Sequence, residues 1–338
     1  MSLGEFQLIR KFTSGLKLPK KSVLLGPGDD CAAVLWKARV GAHPKEGRFH
    51  RGHAPLLLTS DLLIEGVHFR CDWMTPEQIG FKAMRVNLSD IAAMGGTPRF
   101  ALISLGLPKT FRGRAAERLF RGLRRAAEGE GVAIVGGDTN ASDRLIVNVV
   151  VLGEAGPKIL TRDGAKPGDL LYVTGRLGDS ALGLKALAKR RLRGFEQFVR
   201  RHIEPPSRVR VGKALAKLSG VHALMDLSDG LAGDLPHFLK AGRVGADVRI
   251  DALPRSPGFV AAARRAGADP LALMIGGGED YELLFAASPR VRIPGKIGGI
   301  PVTTIGRITP EPGVLRWLRC DGSPLEGRGA GLPGFRHF

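Results

Sequence analysis

The chain has 338 residues, 43% of them hydrophobic and 25% charged, which suits a soluble globular protein with room for two cores and excludes a short peptide module. With 51 Lys and Arg against 32 Asp and Glu the net charge is +19, so phosphate-bearing molecules are attracted over many orientations. Aromatic residues are only 6% and are not interleaved with the basic ones as a base-stacking platform requires, so no specific nucleic-acid partner is expected.

In chain order, helical periodicity first covers Glu5–Ser14. The segment Lys37–Pro55 is polar, basic and rich in Gly and His, and reads as an exposed loop. Its His43, His50 and His53 have no paired carboxylate or Cys to complete a metal site. A strand is predicted at Leu56–Thr59 and a helix at Pro76–Ala93, where Pro76 sits at an early position that lacks an N–H partner anyway. Strand Phe100–Leu107, helix Arg112–Glu128 and strands Val132–Val135 and Leu145–Leu152 follow. Gly153–Lys166 is rich in Gly and Pro, and the alternation of strands and helices restarts after it, which predicts domains at 1–153 and 154–338. The second half reads as strand Leu170–Thr174, helices Ser180–Lys189, Ser207–Leu218 and Gly230–Ala241, strand Ala246–Ile250, helix Pro257–Ala266 and strand Tyr281–Ala286. Lys189–Arg201 reads as a solvated amphipathic face. The fold class is α/β of the α+β type, two α/β domains with mixed sheets. The apolar runs Phe100–Leu107 and Leu145–Leu152 predict a sheet that a second copy covers, hence a homodimer. Cys31, Cys71 and Cys320 are dispersed with no Cys-x-x-Cys pair, and no stretch is long and apolar enough to span a bilayer; a reducing cytoplasm and no membrane partner are expected.

The most informative pattern is acidic. Asp29 and Asp30, Asp61, Asp90, Asp138, Asp226 and Asp229 sit in short turns rich in Gly, Ser or Thr, most of them beside an apolar run. Carboxylates gathered at element ends raise one another's pKa unless cations are present, and hard ions such as Mg2+ take carboxylate, hydroxyl and phosphate oxygens. The pattern predicts a magnesium and polyphosphate site. There is no Gly-x4-Gly-Lys-Ser/Thr loop, no His-Glu-x-x-His and no Gly-x-Ser-x-Gly, so a nucleotide is held differently here. Backbone N–H groups beside Gly136-Gly137 and Gly276-Gly277-Gly278 can approach phosphate closely, although a tight turn explains an isolated glycine pair equally well.

Gly28-Asp29-Asp30, Thr59-Ser60-Asp61, Glu65-Gly66-Val67-His68-Phe69, the run from Lys82 to Gly96, Gly136-Gly137-Asp138-Thr139, Leu160-Thr161-Arg162, Asp226-Leu227-Ser228-Asp229-Gly230, the run from Gly277 to Leu283 and the closing Gly334-Phe335-Arg336-His337-Phe338 resemble, in this order, the thiamine-monophosphate kinases. The resemblance runs nearly end to end, with Lys37–Pro55 as an addition. It implies transfer of the ATP γ-phosphoryl group to thiamine monophosphate, with ATP in a cleft between the two domains and dimerisation through the first. It implies Asp30, Thr59, Ser60, Asp61, Asp90, Asp138, Asp226 and Asp229 as magnesium ligands, with Asp61, Asp138 and Asp229 catalytic through the metals they hold and Asp29 orienting its turn. Gly137, Asp138, Arg162 and Ser228 correspond to ATP contacts, and His68, Glu279 and Phe335 to acceptor contacts. Each acceptor residue also has a plain reading: a hydrogen-bonded His at a strand end, a Glu capping a helix, a packed Phe. The alternative is another ATP-dependent enzyme of the wider aminoimidazole ribonucleotide synthetase group with a different acceptor.

Overall fold

The structure is a computed structural model that describes residues 11–14, 16, 18–19, 21–35, 54–111 and 113–325. Most of Glu5–Ser14, nearly all of Lys37–Pro55, and Phe335 with the closing motif lie outside the described residues.

Strands β1 (Val23–Leu25), β2 (Ala32–Val34), β3 (Leu56–Ile64), β4 (Thr97–Leu107), β5 (Ala133–Ala141) and β6 (Ile146–Glu154) form one sheet in the order β1-β2-β3-β6-β4-β5. The β4–β5 pair is parallel and its neighbours are antiparallel, so the sheet is mixed. Period-two alternation builds it. In β6, Val147, Val149 and Val151 are buried while Ile146, Asn148, Val150 and Leu152 are only half-buried. The buried side meets helices α1 (Pro76–Ala93) and α2 (Arg114–Glu128). Helix α1 begins with a capping box: Gln78 N–H donates to Thr75 Oγ1 at 3.3 Å and Thr75 N–H donates to Gln78 Oε1 at 2.9 Å, with Pro76 directly after the cap. Its bounds are those predicted from the sequence.

The second half contains β7 (Leu170–Thr174), α3 (Asp179–Ala188), α4 (Glu196–Ile203), α5 (Val209–Leu215), β8 (Val221–Asp226), α6 (Leu231–Gly242), β9 (Gly245–Arg249), α7 (Phe259–Arg265), α8 (Pro270–Gly276), β10 (Leu283–Ala287), β11 (Lys296–Ile297), β12 (Ile300–Thr309) and β13 (Leu315–Leu318). Its sheet runs β13-β9-β12-β7-β10-β8, with β11 on β12 and a parallel β13–β9 pair. One face carries Leu171, Val173, Met225 and Leu284 into a core with Leu182, Leu235, Phe238 and Phe259. From the other face Tyr172, Leu224 and Phe285 join the core that contains α1. Helix α1 is therefore buried between the two sheets, and that position lets its polar residues reach both halves.

Two expectations needed amending. Lys189–Arg201 is not simply a solvated face, because α4 buries Phe198, His202 and Ile203, with Phe198 edge-on to Phe259 at 6.0 Å. Strand β12 was hidden by its Pro301 and Gly306; Gly306 lies at a register shift against β7, where a bulge accommodates it.

Candidate active site

Three carboxylates from three separate segments of the chain converge. One oxygen each from Asp30, Asp90 and Asp226 lies within 4.8 Å of the others. Asp90 comes from the last turns of α1, Asp226 ends β8, and Asp30 precedes β2. Neighbouring hydroxyls hold them: Thr59 donates to Asp90, and Ser89 donates to Asp226 at 2.6 Å. Asp61 sits beside the cluster, its N–H donating to Asn87 Oδ1 at 2.9 Å. Burial, then the charge of Asp30, pushes the Asp226 carboxyl up to about 8, and burial with Asp61 and Asp226 pushes Asp90 well above the carboxylate range. Desolvated like charges without compensation raise pKa in this way, and an all-oxygen donor set suits a hard divalent cation. The residues present therefore fit Mg2+.

Arg162 is the nearest built-in cation. Its guanidinium pairs with Asp30, and although burial works against its charge, Asp30 holds it above the ordinary arginine value. Asp29 does orient its turn, its two oxygens accepting from Asp30 N–H at 3.0 Å and Arg162 N–H at 3.2 Å.

The cluster opens into a cavity of about 530 Å³, a size suited to a small-molecule ligand. Asp61, Asp90, Asp226, Ser228 and Asp229 line one end, and His68, Phe69, Trp73, His202 and Glu279 line the rest. The 226–230 turn and the 277–279 segment touch backbone to backbone: Glu279 N–H donates to Ser228 O at 2.6 Å, and a Cβ on Gly278 would come within 2.7 Å of that same oxygen. Tight packing is thus one reason for glycine there, and it delivers Ser228 and Glu279 to one cavity. His68 Nδ1 accepts from Ile64 N–H at 3.1 Å, as its plain reading expects, and the residue also lines the cavity.

Not every predicted residue joins this centre. The register Asp61–Val149–Ile103–Gly137 places Gly137 three strands from Asp61, about 14 Å along the sheet. Asp138 follows Gly137 on the edge strand β5, where it is exposed and accepts from Thr139 N–H at 2.8 Å and Asn140 Nδ2 at 2.7 Å. It shares a register row with Leu62, Asn148 and Ser104, the sheet face opposite to Thr59 and Asp61. Ser60 also points to that face and donates to Asn148 Oδ1 at 3.1 Å. Gly137 has a packing reason of its own: a Cβ there would lie 1.7 Å from Ile103 O.

Sequence reasoning overlooked Lys82 and His202. Lys82 Nζ lies 2.8 Å from Glu279 Oε1, and His202 Nδ1 lies 3.2 Å from Glu279 Oε2. The available signal was Lys82 itself, a charge within the apolar stripe Ile79, Ala83, Val86.

Residues 28–155 match the AIR synthase related protein N-terminal domain, and residues 166–317 match the C-terminal domain of the same group. A thiamine-monophosphate kinase of Rhodopirellula baltica is 36% identical over 307 residues, covering 90% of this chain and 89% of the relative. That of Aquifex aeolicus is 36% identical over 339 residues, covering 99% and 98%. A solved AaThiL chain, complexed with AMPPCP and TMP, superposes with a TM-score of 0.82 at 33% identity and covers 100% of this chain and 99% of its own. With both domains matched and full-length relatives at this identity, the chain belongs to the thiamine-monophosphate kinase family.

Proposed function

We propose that the chain transfers the γ-phosphoryl group of ATP to the phosphate of thiamine monophosphate, giving thiamine diphosphate and ADP. The observation that carries this reading is the continuity of one cavity from the Asp30, Asp90 and Asp226 cluster to Glu279 and His68. An acceptor phosphate is already ionised near neutral pH, so in-line positioning and charge neutralisation suffice and no strong base is required. The carboxylates accordingly hold cations and do not shuttle protons.

Asp30, Asp90 and Asp226, with Asp61 and Asp229 beside them, are the residues we assign to Mg2+. Bound there, Mg2+ supplies charge neutralisation to phosphate oxygens. Ser228 borders the same end of the cavity and is assigned to ATP, as is Arg162, whose planar guanidinium suits phosphate once a cation replaces it at Asp30. His68 and Glu279 are assigned to the acceptor ring, with Trp73 supplying an aromatic wall near them.

Ser60, Gly137 and Asp138 fit this scheme through a homodimer. The sheet face opposite α1 leaves Leu62 47%, Phe100 49% and Leu102 39% exposed. A second copy covering that face would bury this apolar surface and bring Asp138 to a nucleotide held at the neighbouring subunit's cleft. Light scattering should then give twice the chain mass of 36.1 kDa. In the same reading the chain divides into domains at residue 153. A cytoplasmic setting belongs to it as well; among the described residues no helix is long and apolar enough to cross a membrane.

Incubation with thiamine monophosphate, ATP and Mg2+ tests the function by chromatography of the products. Thiamine diphosphate and ADP should appear in equal amounts. ADP formed only with a different acceptor would move the chain to another activity of the superfamily.

A further inference from the structure

Lys82, a charged residue, is among the largest fully buried side chains of the described residues, and it lies in the cavity wall without lining the cavity. Its side chain is 1% exposed, so the ammonium is out of reach of any ligand. Nζ lies 2.8 Å from Glu279 Oε1 and donates to His68 O at 3.4 Å, so one cation joins the two residues assigned to the acceptor ring. Glu279 retains 25% exposure of its side chain and faces the cavity. Its backbone is held at φ +63°, a left-handed conformation that a non-glycine residue adopts at a cost, with Tyr281 two residues later at +47°.

Burial alone would raise the Glu279 carboxyl, yet Lys82, then His202, holds it below the ordinary range. His202 adds no second full charge. Burial, aided by Lys82, pushes its imidazole down to about 3, and its Nδ1 lies 3.1 Å from Ser180 Oγ. Glu279 is therefore offered to the cavity as a carboxylate, which accepts hydrogen bonds and cannot donate one. A protonated carboxyl would offer both and lose that polarity.

We propose that Lys82 is a positioning residue that fixes Glu279 as an acceptor-only contact, so that the site selects acceptors whose ring presents an N–H donor over those presenting a carbonyl. This rests on the reading of Glu279 as a ring contact. The aminopyrimidine of thiamine monophosphate carries such a donor, whereas its 4-oxo analogue presents a carbonyl at the same point. Leaving a buried polar group facing a mismatched partner is what makes hydrogen-bonded sites discriminate strongly.

The test compares kcat/KM for thiamine monophosphate and its 4-oxo analogue, with ATP and Mg2+, in the wild type and in Lys82→Met, Glu279→Gln and the double variant. The wild type should prefer the amino ring by about ten- to hundredfold, the value of one charge-assisted hydrogen bond. Lys82→Met should lose most of that preference through a higher acceptor KM while the KM for ATP holds, a split that general loosening of the fold would not produce. If Lys82→Met does not fold, the double variant, which strands no buried charge, should fold and show the same preference as Glu279→Gln alone. A Lys82→Met enzyme that keeps the wild-type preference, or a double variant that differs from Glu279→Gln, overturns the role of Lys82. Unchanged preference and unchanged acceptor KM in Glu279→Gln would instead overturn the acceptor-site reading beneath it, as would a wild type indifferent to the two rings.

Discussion

Two sets of carboxylates in and near this cleft are treated in opposite ways. Asp90 and Asp226 face each other and Asp30 with Arg162 as the nearby cation, and both are pushed above the carboxylate range. Glu282 is fully buried and Glu279 keeps a quarter of its side chain exposed, yet both are held below it. Glu279 has Lys82 and His202, while Glu282 has Arg201, Arg208 and the Thr174 hydroxyl. Burial opposes ionisation in all four, so it cannot be what separates them. The difference is whether the fold brings the countercharge. A carboxylate supplied with its own cation is finished within the chain; under the proposed function, one left without it is completed by Mg2+ from solution.

The largest expected effect concerns the finished set. Glu282→Gln should cost about 3–5 kcal/mol, because it leaves Arg201 and Arg208 facing a neutral group in the interior. Urea unfolding measures it. A loss below about 1 kcal/mol would mean that these arginines are compensated elsewhere and that the contrast is overstated.

Asp226→Asn should do the reverse on stability while removing function. Above pH 8, where the wild-type Asp226 carboxyl is ionised, the metal-free variant should melt higher than wild type because one of three crowded charges is gone, and turnover should fall by about 10²–10³, the usual consequence of removing one preorganised charge-stabilising group. Calorimetry without divalent ions and a coupled ADP assay with them provide the two readings. Lower stability together with lost turnover would mark Asp226 as structural.

The reach of the sequence follows the same division. Helix α1 was readable to the residue because its cap, its Pro76 and its apolar stripe are all local signals. The acidic frames announced themselves by composition, although Asp61 and Asp138 lie inside β3 and β5 and Asp90 inside α1, not in turns between elements. What stayed hidden is pairing over distance. Lys82 and Glu279 are 197 positions apart by their numbering, and nothing local to either reveals the other. Asp138 looked equivalent to Asp61 because both stand in similar frames rich in Gly, Ser or Thr, and only the strand order shows that they occupy different strands and opposite faces of the sheet. Strand β12 was missed because Pro301 and Gly306 speak locally against a strand that pairing on both sides enforces.

Magnesium should sharpen the contrast at intermediate size. The Asp226 carboxyl, at about 8, lies above its ordinary 3.8, so its contribution to stability is full below about pH 4 and is lost as pH rises through 8. The metal-free protein should therefore lose stability from this group between pH 6 and pH 8. A divalent ion binds the ionised form and should restore it, by about 2.7 kcal/mol at a hundredfold excess over Kd. Thermal melts with and without Mg2+ should show a larger upward shift at pH 8 than at pH 6. Equal shifts would place the ion away from this cluster.

The smallest effect separates the finished set from its own titration. His202 in the folded chain is pushed down to about 3, below its ordinary 6.5, so as pH falls the unfolded chain takes up the proton first. Stability from this residue is full above pH 6.5 and is lost beneath it, by about 1.4 kcal/mol at pH 5.5, one unit below the ordinary value. Acid also protonates the aspartates, which moves stability the other way, so the melting point of the wild type alone cannot isolate the imidazole. The difference between wild type and His202→Asn can, because the aspartate contribution is common to both proteins. That difference should shift by about 1.4 kcal/mol in favour of the variant between pH 7.5 and pH 5.5. A difference that shifts instead in favour of the wild type would mean that His202 already carries a proton beside Glu279. The carboxylate would then have two full cations, and Lys82 alone would no longer set its charge.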